Sequence, residues 1–393
     1  MEHTKSSNAL LNKMIAVINE VNCEVAERDE AVEAIVLAVL TKKNMFMLGA
    51  TGQAKSYVIT VFLKRITGSK QFSYLLTKQT DEEALFGRLD LKSYLDGDPK
   101  MITTGKIPDV NFVFLDETFK CNEGTLNSLL TALNERQYTN EGKTIDIPVI
   151  SFMGASNEIP NFDNQEESIL RPLFDRFEIK VVTEYIKNRD TRLRMLARKQ
   201  SGQTGQVTTT ITLEELQAMQ NEAAAVTIPQ KINELMDDIL CELRSLGIHI
   251  SDRKYFNYHP LAQAKAWLRG RNTVEPTDLS VLKYYLWTTP AEIPVIQKVL
   301  DKHCLTPLEV KVKEIFSLAD ECCEDFDINV DKNPNAAIVK LRKELVQIYR
   351  MVGKLEAGTE GKAVKANAIE ELEAISKQAH DRVGFAYAPL NLL

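Results

Sequence analysis

Two short stretches of this sequence have residue types and spacing suited to phosphate chemistry. Gly49-Ala50-Thr51-Gly52-Gln53-Ala54-Lys55-Ser56 follows the apolar run Met45–Leu48 and precedes a segment with Val58, Val61, Phe62 and Ile66 at helical spacing. Strand, glycine-containing turn and helix in that order form the context of a P-loop. Gly49 and Gly52 let the chain curl so that backbone N–H groups converge on a phosphate, and the helix N-terminus adds positive potential. Lys55 would reach the β- and γ-phosphates and the Ser56 hydroxyl would ligate Mg2+, with Tyr57 completing the nucleotide-binding stretch. Ala54 stands where a glycine is usual; its methyl group is expected to fit a helical φ/ψ and leave the phosphate approach open. Taken alone, the octapeptide competes with a coincidental turn.

The second stretch, Phe112-Val113-Phe114-Leu115-Asp116-Glu117, is an apolar run ending in paired carboxylates, the form of a Walker B segment. Asp116 would hold Mg2+ through water and Glu117 would orient and polarise an attacking water, the two needs of phosphoryl transfer. A solvated turn is the bland reading of adjacent acids, and a P-loop upstream at domain-scale spacing tells against it. A third strand, Val149–Gly154, leads to Asn157, an amide that would contact the γ-phosphate or the attacking water. An asparagine after a strand is usually a turn former; its order in the chain favours the functional reading here.

The elements that must position these residues follow from periodicity. Apolar spacing predicts two helices between Asn8 and Leu40 and further strands at Phe72–Leu76 and Phe112–Leu115, alternating with helices as in a parallel sheet covered on both faces. An insertion runs from Asp81 to Asn111, and RQYTNEGKTIDIPV reads as a hairpin turning at Asn140–Gly142. Asn188–Thr210 is polar and is expected to be a linker, with SGQTGQ its flexible part. Leu213–Thr288 is helical throughout. Ile338, Leu341, Leu345, Ile348, Val352 and Leu355 then recur three and four apart, a heptad-like seam that fits intramolecular packing better than a partner-binding coil. A further helix is expected over Ala366–His380. The division expected is a sheet domain over 1–187, a linker over 188–212, an all-α domain over 213–305 and a helical extension over 306–393.

Composition removes several alternatives. At 393 residues and 44% hydrophobic the chain is long enough for two or three cores. A net charge of -7 argues against a dedicated nucleic-acid binder, and no nucleic-acid partner is expected. The six cysteines form no CxxC pair and are read as reduced thiols rather than metal ligands. The polar N-terminus MEHTKSSN lacks a secretory apolar core, and no apolar run approaches the roughly 20 residues of a membrane span, so a cytoplasmic location is expected.

The P-loop ending in AKS, the strand FVFLDE, LNSLLTALNERQY, ASNEIP and LFDRF occur in an order that resembles MoxR-type AAA+ ATPases, and ASNEIP, ISDRK and GRNTVEPTDL look like the RavA branch. The resemblance spans about residues 8–300 and implies an AAA+ core of parallel sheet and helices, an all-α lid, ATP and Mg2+ as ligands, and a homo-oligomeric, hexameric ring. It makes Asn157 the sensor-1 residue, Arg176 the arginine finger serving a neighbouring subunit, with Arg171 its nearest competitor, and Arg253 a sensor-2 arginine reaching the γ-phosphate from the lid. An ordinary ion pair is the competing reading for both Arg171 and Arg176. Thr77 would restrain Glu117, Ala26–Asp29 would lie beside the adenine, and the MITTGKIPD insertion would project toward the pore or a client. The resemblance also implies a von Willebrand factor A domain partner and remodelling of a protein client. A chelatase-like motor subunit and an ATP-gated scaffold are the alternatives. The β-rich domain found among the RavA C-terminal helices has no counterpart in the helix-patterned segment from Pro307 to Leu393, so functions tied to it are not expected.

Overall fold

A computed structural model describes residues 2–97, 100–140, 143–202, 207–330, 333–355 and 361–392. The chain forms two compact units, one of Met1–Lys187 with Leu193–Gln297, the other of Asn188–Arg192 with Lys298–Leu393.

The first unit is built on five parallel strands: β1 (Met45–Leu48), β2 (Gln71–Leu75), β3 (Phe112–Asp116), β4 (Ser151–Ser156) and β5 (Ile179–Val182), in the spatial order β5-β1-β4-β3-β2. The three central strands are almost wholly buried, which is why they read as continuous apolar runs rather than alternating ones. Register fixes which ends lie together: Leu48 is level with Ser156 and Val182, and Leu75 with Asp116. Helices α1 (Glu2–Val25), α2 (Asp29–Thr41) and α3 (Lys55–Leu63) follow the expected rhythm, and α2 is buried at every residue from Ala34 to Leu40.

After the sheet's third strand comes α4 (Glu123–Glu135), and the short α5 (Arg171–Arg176) precedes β5. The hairpin is present as Gln137–Asn140 against Lys143–Asp146, while Glu141 and Gly142 of its turn lie outside the described residues. The Asp81–Asn111 insertion carries two short helices, Glu82–Phe86 and Leu91–Leu95, and a small antiparallel pair, Arg88–Leu89 with Met101–Ile102.

The stretch expected to be a linker departs from the sequence reading. Helix α6 (Arg189–Gln200) occupies its first half, and Ile211–Thr212 pairs in parallel with Ile66–Thr67. Its sequence, RDTRLRMLARKQ, is rich in strong helix formers, but Leu193 and Leu196 are about half exposed, so no buried stripe announces the helix. Residues 203–206 of SGQTGQ lie outside the described residues.

The helical layer of the first unit contains α7 (Leu213–Ala224), α8 (Gln230–Ser245), α9 (Asp252–Phe256) and α10 (His259–Leu268). Thr212 and Glu215 form a capping box at the start of α7, two N-terminal N–H groups being satisfied reciprocally. This layer rests on α2: Gln220 donates to the Val39 carbonyl at 2.8 Å, and Glu33 accepts from Tyr284 at 2.8 Å and pairs with Lys265. On β5, Lys180 is buried with its amine 4.6 Å from the Phe174 ring centre and without a hydrogen-bond partner, while Lys254 donates to the Leu286 carbonyl at 3.1 Å. Burial lowers the pKa of both amines, against the opposing pull of Asp175 and Glu292.

The second unit is a bundle of α11 (Pro307–Asn329), α12 (Pro334–Lys354) and α13 (Gly361–Val383). Ile338, Leu341, Leu345, Ile348 and Val352 of the heptad-like seam all face its core, with Ile315, Phe326 and Leu372 opposite. The seam is therefore taken up by intramolecular packing. Residues 358–360 of the GTEGK stretch lie outside the described residues.

Two outcomes follow. Leu345→Ala, at a fully buried position, should lower the stability of the bundle by about 2–5 kcal/mol, measured as faster amide hydrogen exchange along α12. For Lys254 the folded pKa is about 8 against an ordinary 10.5, so the unfolded chain binds more protons in that window and stability rises with pH across it. In urea denaturation, Lys254→Met should show a smaller rise than the unmodified chain over the same window; equal slopes would contradict the assignment.

Candidate functional site

β1 delivers the chain into the Gly49–Ala54 loop, and α3 begins at Lys55. A Cβ at Gly49 would stand 2.1 Å from both the Gln53 Oε1 and the Thr183 Oγ1, so only glycine fits beneath the loop. Thr183 donates to Gln53 Oε1 at 2.8 Å, tying the loop to the end of β5. Gly52 and Ala54 both have positive φ, +83° and 59°. The sequence expectation for Ala54 thus needs correcting in one respect: its φ/ψ is left-handed helical, a conformation that costs a residue with a Cβ about 1–2 kcal/mol. The tight reversal into α3 imposes it.

Lys55 is buried, and its amine donates to the Gly49 carbonyl, to the Ala50 carbonyl at 3.2 Å and to Asn157 Oδ1 at 2.8 Å. Burial depresses its pKa, with Asp116 and Glu117 pulling the other way. Asn157 in turn donates from Nδ2 to Glu117 Oε1 at 2.8 Å. A single amide therefore links the amine at the start of α3 to the carboxylate that follows β3. Asp116 ends β3 and its Oδ1 accepts from the Glu117 backbone N–H at 3.0 Å. Glu117 itself has a φ of 51°, and its second oxygen lies 3.2 Å from Lys120 Nζ. Lys55, Asp116, Glu117 and Asn157 are thus brought together at the carboxyl ends of β1, β3 and β4.

The neighbouring residues divide by what they face. Ala50, Thr51, Gly52 and Ser56 form the open side of the loop and the first turn of α3. Tyr57 faces α1, its hydroxyl donating to Glu24 at 3.0 Å, and so belongs to the support of the loop. Ser56 and Asp116 offer hard oxygen donors, the set that suits Mg2+ shared between one carboxylate, water and phosphate oxygens.

Thr77 is not brought to Glu117. Its backbone N–H donates to Thr80 Oγ1 at 2.9 Å and its hydroxyl lies 3.2 Å from the same atom, because the chain turns just past the end of β2. Among the described residues, Asn157 and Lys120 engage the Glu117 carboxylate instead. Lys120 was missed from sequence; its only signal is a cation three residues after the acid.

Arg176 and Arg253 lie at the opposite end of the sheet. Asn44, the residue before β1, donates to the carbonyls of Leu133 and Arg176, both at 3.1 Å. Arg253, on α9, donates to Asn134 Oδ1 at 2.6 Å. Both arginines line a cavity of about 270 Å³ with Lys42, Asn134, Arg136 and Glu178. Burial and the Arg253 charge both lower the Arg176 pKa. Within one chain, β1, four residues and about 13 Å long, separates this end from Lys55. Arg171, at the start of α5, lies over the Phe162 ring at 6.0 Å and does not line this cavity.

A second cavity, of about 780 Å³, borders Glu27, Arg28, Asp29, Thr183, Tyr185 and Trp287. Arg28 reaches the Gln53 carbonyl at 3.4 Å, which sets the Ala26–Asp29 turn against the Gly49–Ala54 loop. Its volume falls in the range of small-molecule sites.

Comparison with known proteins agrees with this architecture. Residues 9–221 match the family model for the MoxR domain of MoxR-vWA-beta-propeller ternary systems, and residues 227–300 match an AAA lid domain. Two uncharacterized proteins of Methanocaldococcus jannaschii, MJ0079 and MJ0812, are each 33% identical, over 74% of this chain and 74% of the first, and over 70% of this chain and 71% of the second. A crystal structure of a candidate ATPase from Cytophaga hutchinsonii has the same fold, with a TM-score of 0.62 and 19% identity over 77% of this chain and 97% of that one. The chain belongs to the MoxR family of AAA+ ATPases.

Proposed function

We propose that this protein hydrolyses ATP at sites shared between adjacent copies in a hexameric ring, and uses the cycle to remodel or mature a protein client. The observation that carries the reading is the Lys55–Asn157–Glu117 chain of hydrogen bonds at one end of the sheet, with two arginines unpaired by any carboxylate among the described residues at the other. In this reading Lys55 and the loop N–H groups of residues 49–54 hold the triphosphate, and the Ala26–Asp29 turn lies beside the base. Mg2+, held by Ser56 and Asp116, supplies neutralisation of charge on the phosphate oxygens. Glu117 orients and polarises the water, and Asn157, released from Lys55, aligns it against the γ-phosphate.

Arg176 and Arg253 serve the neighbouring copy. An arginine arriving in trans stabilises charge that grows in the transition state, and such contributions are worth about 10³–10⁵ in rate. The RavA-like placement rests on the ASNEIP and ISDRK wording. A von Willebrand factor A domain partner is proposed because the matching family model is drawn from systems that contain one; a cytoplasmic location is proposed with it.

Steady-state turnover by the purified full chain tests the shared site. Lys55→Ala should lose nucleotide binding. Glu117→Gln and Arg176→Ala should each bind ATP and lose at least about 10²-fold in kcat. Mixing the last two variants should restore turnover, since an interface pairing Glu117 of one copy with Arg176 of the other is intact. Recovery of no activity from co-assembled variants, or normal turnover by Arg176→Ala alone, would reject the proposal.

A further inference from the structure

Helix α4 joins the two ends of the sheet. At its start Asn122 accepts from the Thr125 N–H at 2.9 Å and donates to the Thr80 carbonyl at 2.6 Å, and the Thr125 hydroxyl donates to the same carbonyl at 2.8 Å. That fixes the helix beside the loop that carries Glu117. Thirteen residues later, at 1.5 Å per residue or about 20 Å away, its last turn meets both arginines. The Leu133 carbonyl shares the Asn44 amide with the Arg176 carbonyl, and Asn134 Oδ1 accepts from Arg253 at 2.6 Å.

We propose that Asn134 is a positioning residue for ATP hydrolysis, holding the Arg253 guanidinium at the angle from which it meets a phosphate of the neighbouring copy. The inference rests on the shared-site reading above. Three physical points support it. Arg253 and Arg176 repel one another, so a free guanidinium would swing toward solvent, and a hydrogen-bond acceptor is needed to hold it. The carbonyl end of α4 carries partial negative charge, which favours a cation there. Asn134 is an amide and brings no opposing charge; a carboxylate at this position would offset the positive charge and weaken its attraction for phosphate. Arg253 has five N–H donors, and the bond to Asn134 uses one nitrogen of the fork.

Asn134 is exposed, so its replacement should leave the fold intact. In steady-state assays of the full chain, Asn134→Ala should lower kcat about tenfold or more while the KM for ATP changes less than about twofold, the split expected when an interaction acts in the transition state. Asn134→Gln, which keeps the acceptor, should recover at least about half of the lost kcat. Arg253→Ala in the same assay separates the two levels of the argument. If Arg253→Ala lowers kcat and Asn134→Ala does not, the positioning role is wrong and the shared site stands. If Arg253→Ala has no effect, the assignment of Arg253 to a neighbour's site falls and the role of Asn134 falls with it. Equal losses in Asn134→Gln and Asn134→Ala would also overturn the proposal, because the acceptor would then be irrelevant.

Discussion

The parallel alignment of β5, β1, β4 and β3 is the constraint on which the rest of the site depends. Loops that follow the strands gather at one end, and there Lys55, Asp116, Glu117 and Asn157 meet. Residues that precede the strands gather at the other, where Asn44, Arg176 and Glu178 lie. A chain with this sheet cannot bring Arg176 to its own Lys55 without separating β5 from β1 and breaking a buried ladder. The two ends are therefore kept apart within one copy, which is the separation that the proposed shared site requires.

Non-glycine residues with positive φ stand at both ends, Ala54 and Glu117 at the first and Lys42 and Arg136 at the second. For Ala54 and Glu117 the cost is about 1–2 kcal/mol each. The surrounding packing holds them there. Thr118, next to Glu117, donates its hydroxyl to the Leu115 and Ala155 carbonyls at 2.9 and 3.1 Å, and its N–H to the Ala155 carbonyl at 3.0 Å. Gly154 makes room for that arrangement, since a Cβ there would lie 2.8 Å from the Thr118 hydroxyl and 2.9 Å from the Phe177 ring. Glycine in β4, threonine after Glu117 and the backbone angle of Glu117 thus form one packed unit.

Much of this was legible in the sequence, for a physical reason. Buried parallel strands leave continuous apolar runs, and polar residues at their ends stand out, so Asp116, Glu117 and Asn157 could be found. What was not legible depends on three-dimensional proximity between distant segments. The Arg253–Asn134 bond joins residues 119 apart, and nothing local to either one marks it. Thr77 follows a strand and so has the sequence position of a site residue, but the turn to Thr80 directs its hydroxyl elsewhere. Helix α6 is hidden in the sequence because its apolar residues are partly exposed and its charges resemble those of a linker.

Asparagine side chains recur at the junctions of both ends: Asn157 between Lys55 and Glu117, Asn44 between α4 and the Arg176 carbonyl, and Asn134 on Arg253. An exposed ion pair contributes only about 0–1 kcal/mol to stability, so replacing one by an amide contact loses little. The gain is electrostatic. An amide can orient a lysine or an arginine without cancelling its charge, whereas a carboxylate would compete with the phosphate for it. Glu178, the carboxylate of the arginine cavity, is already paired with Lys43 at 2.6 Å, which leaves the cavity with an excess of positive charge. That excess is the electrostatic basis of the proposed role, since positive potential attracts an anion such as phosphate.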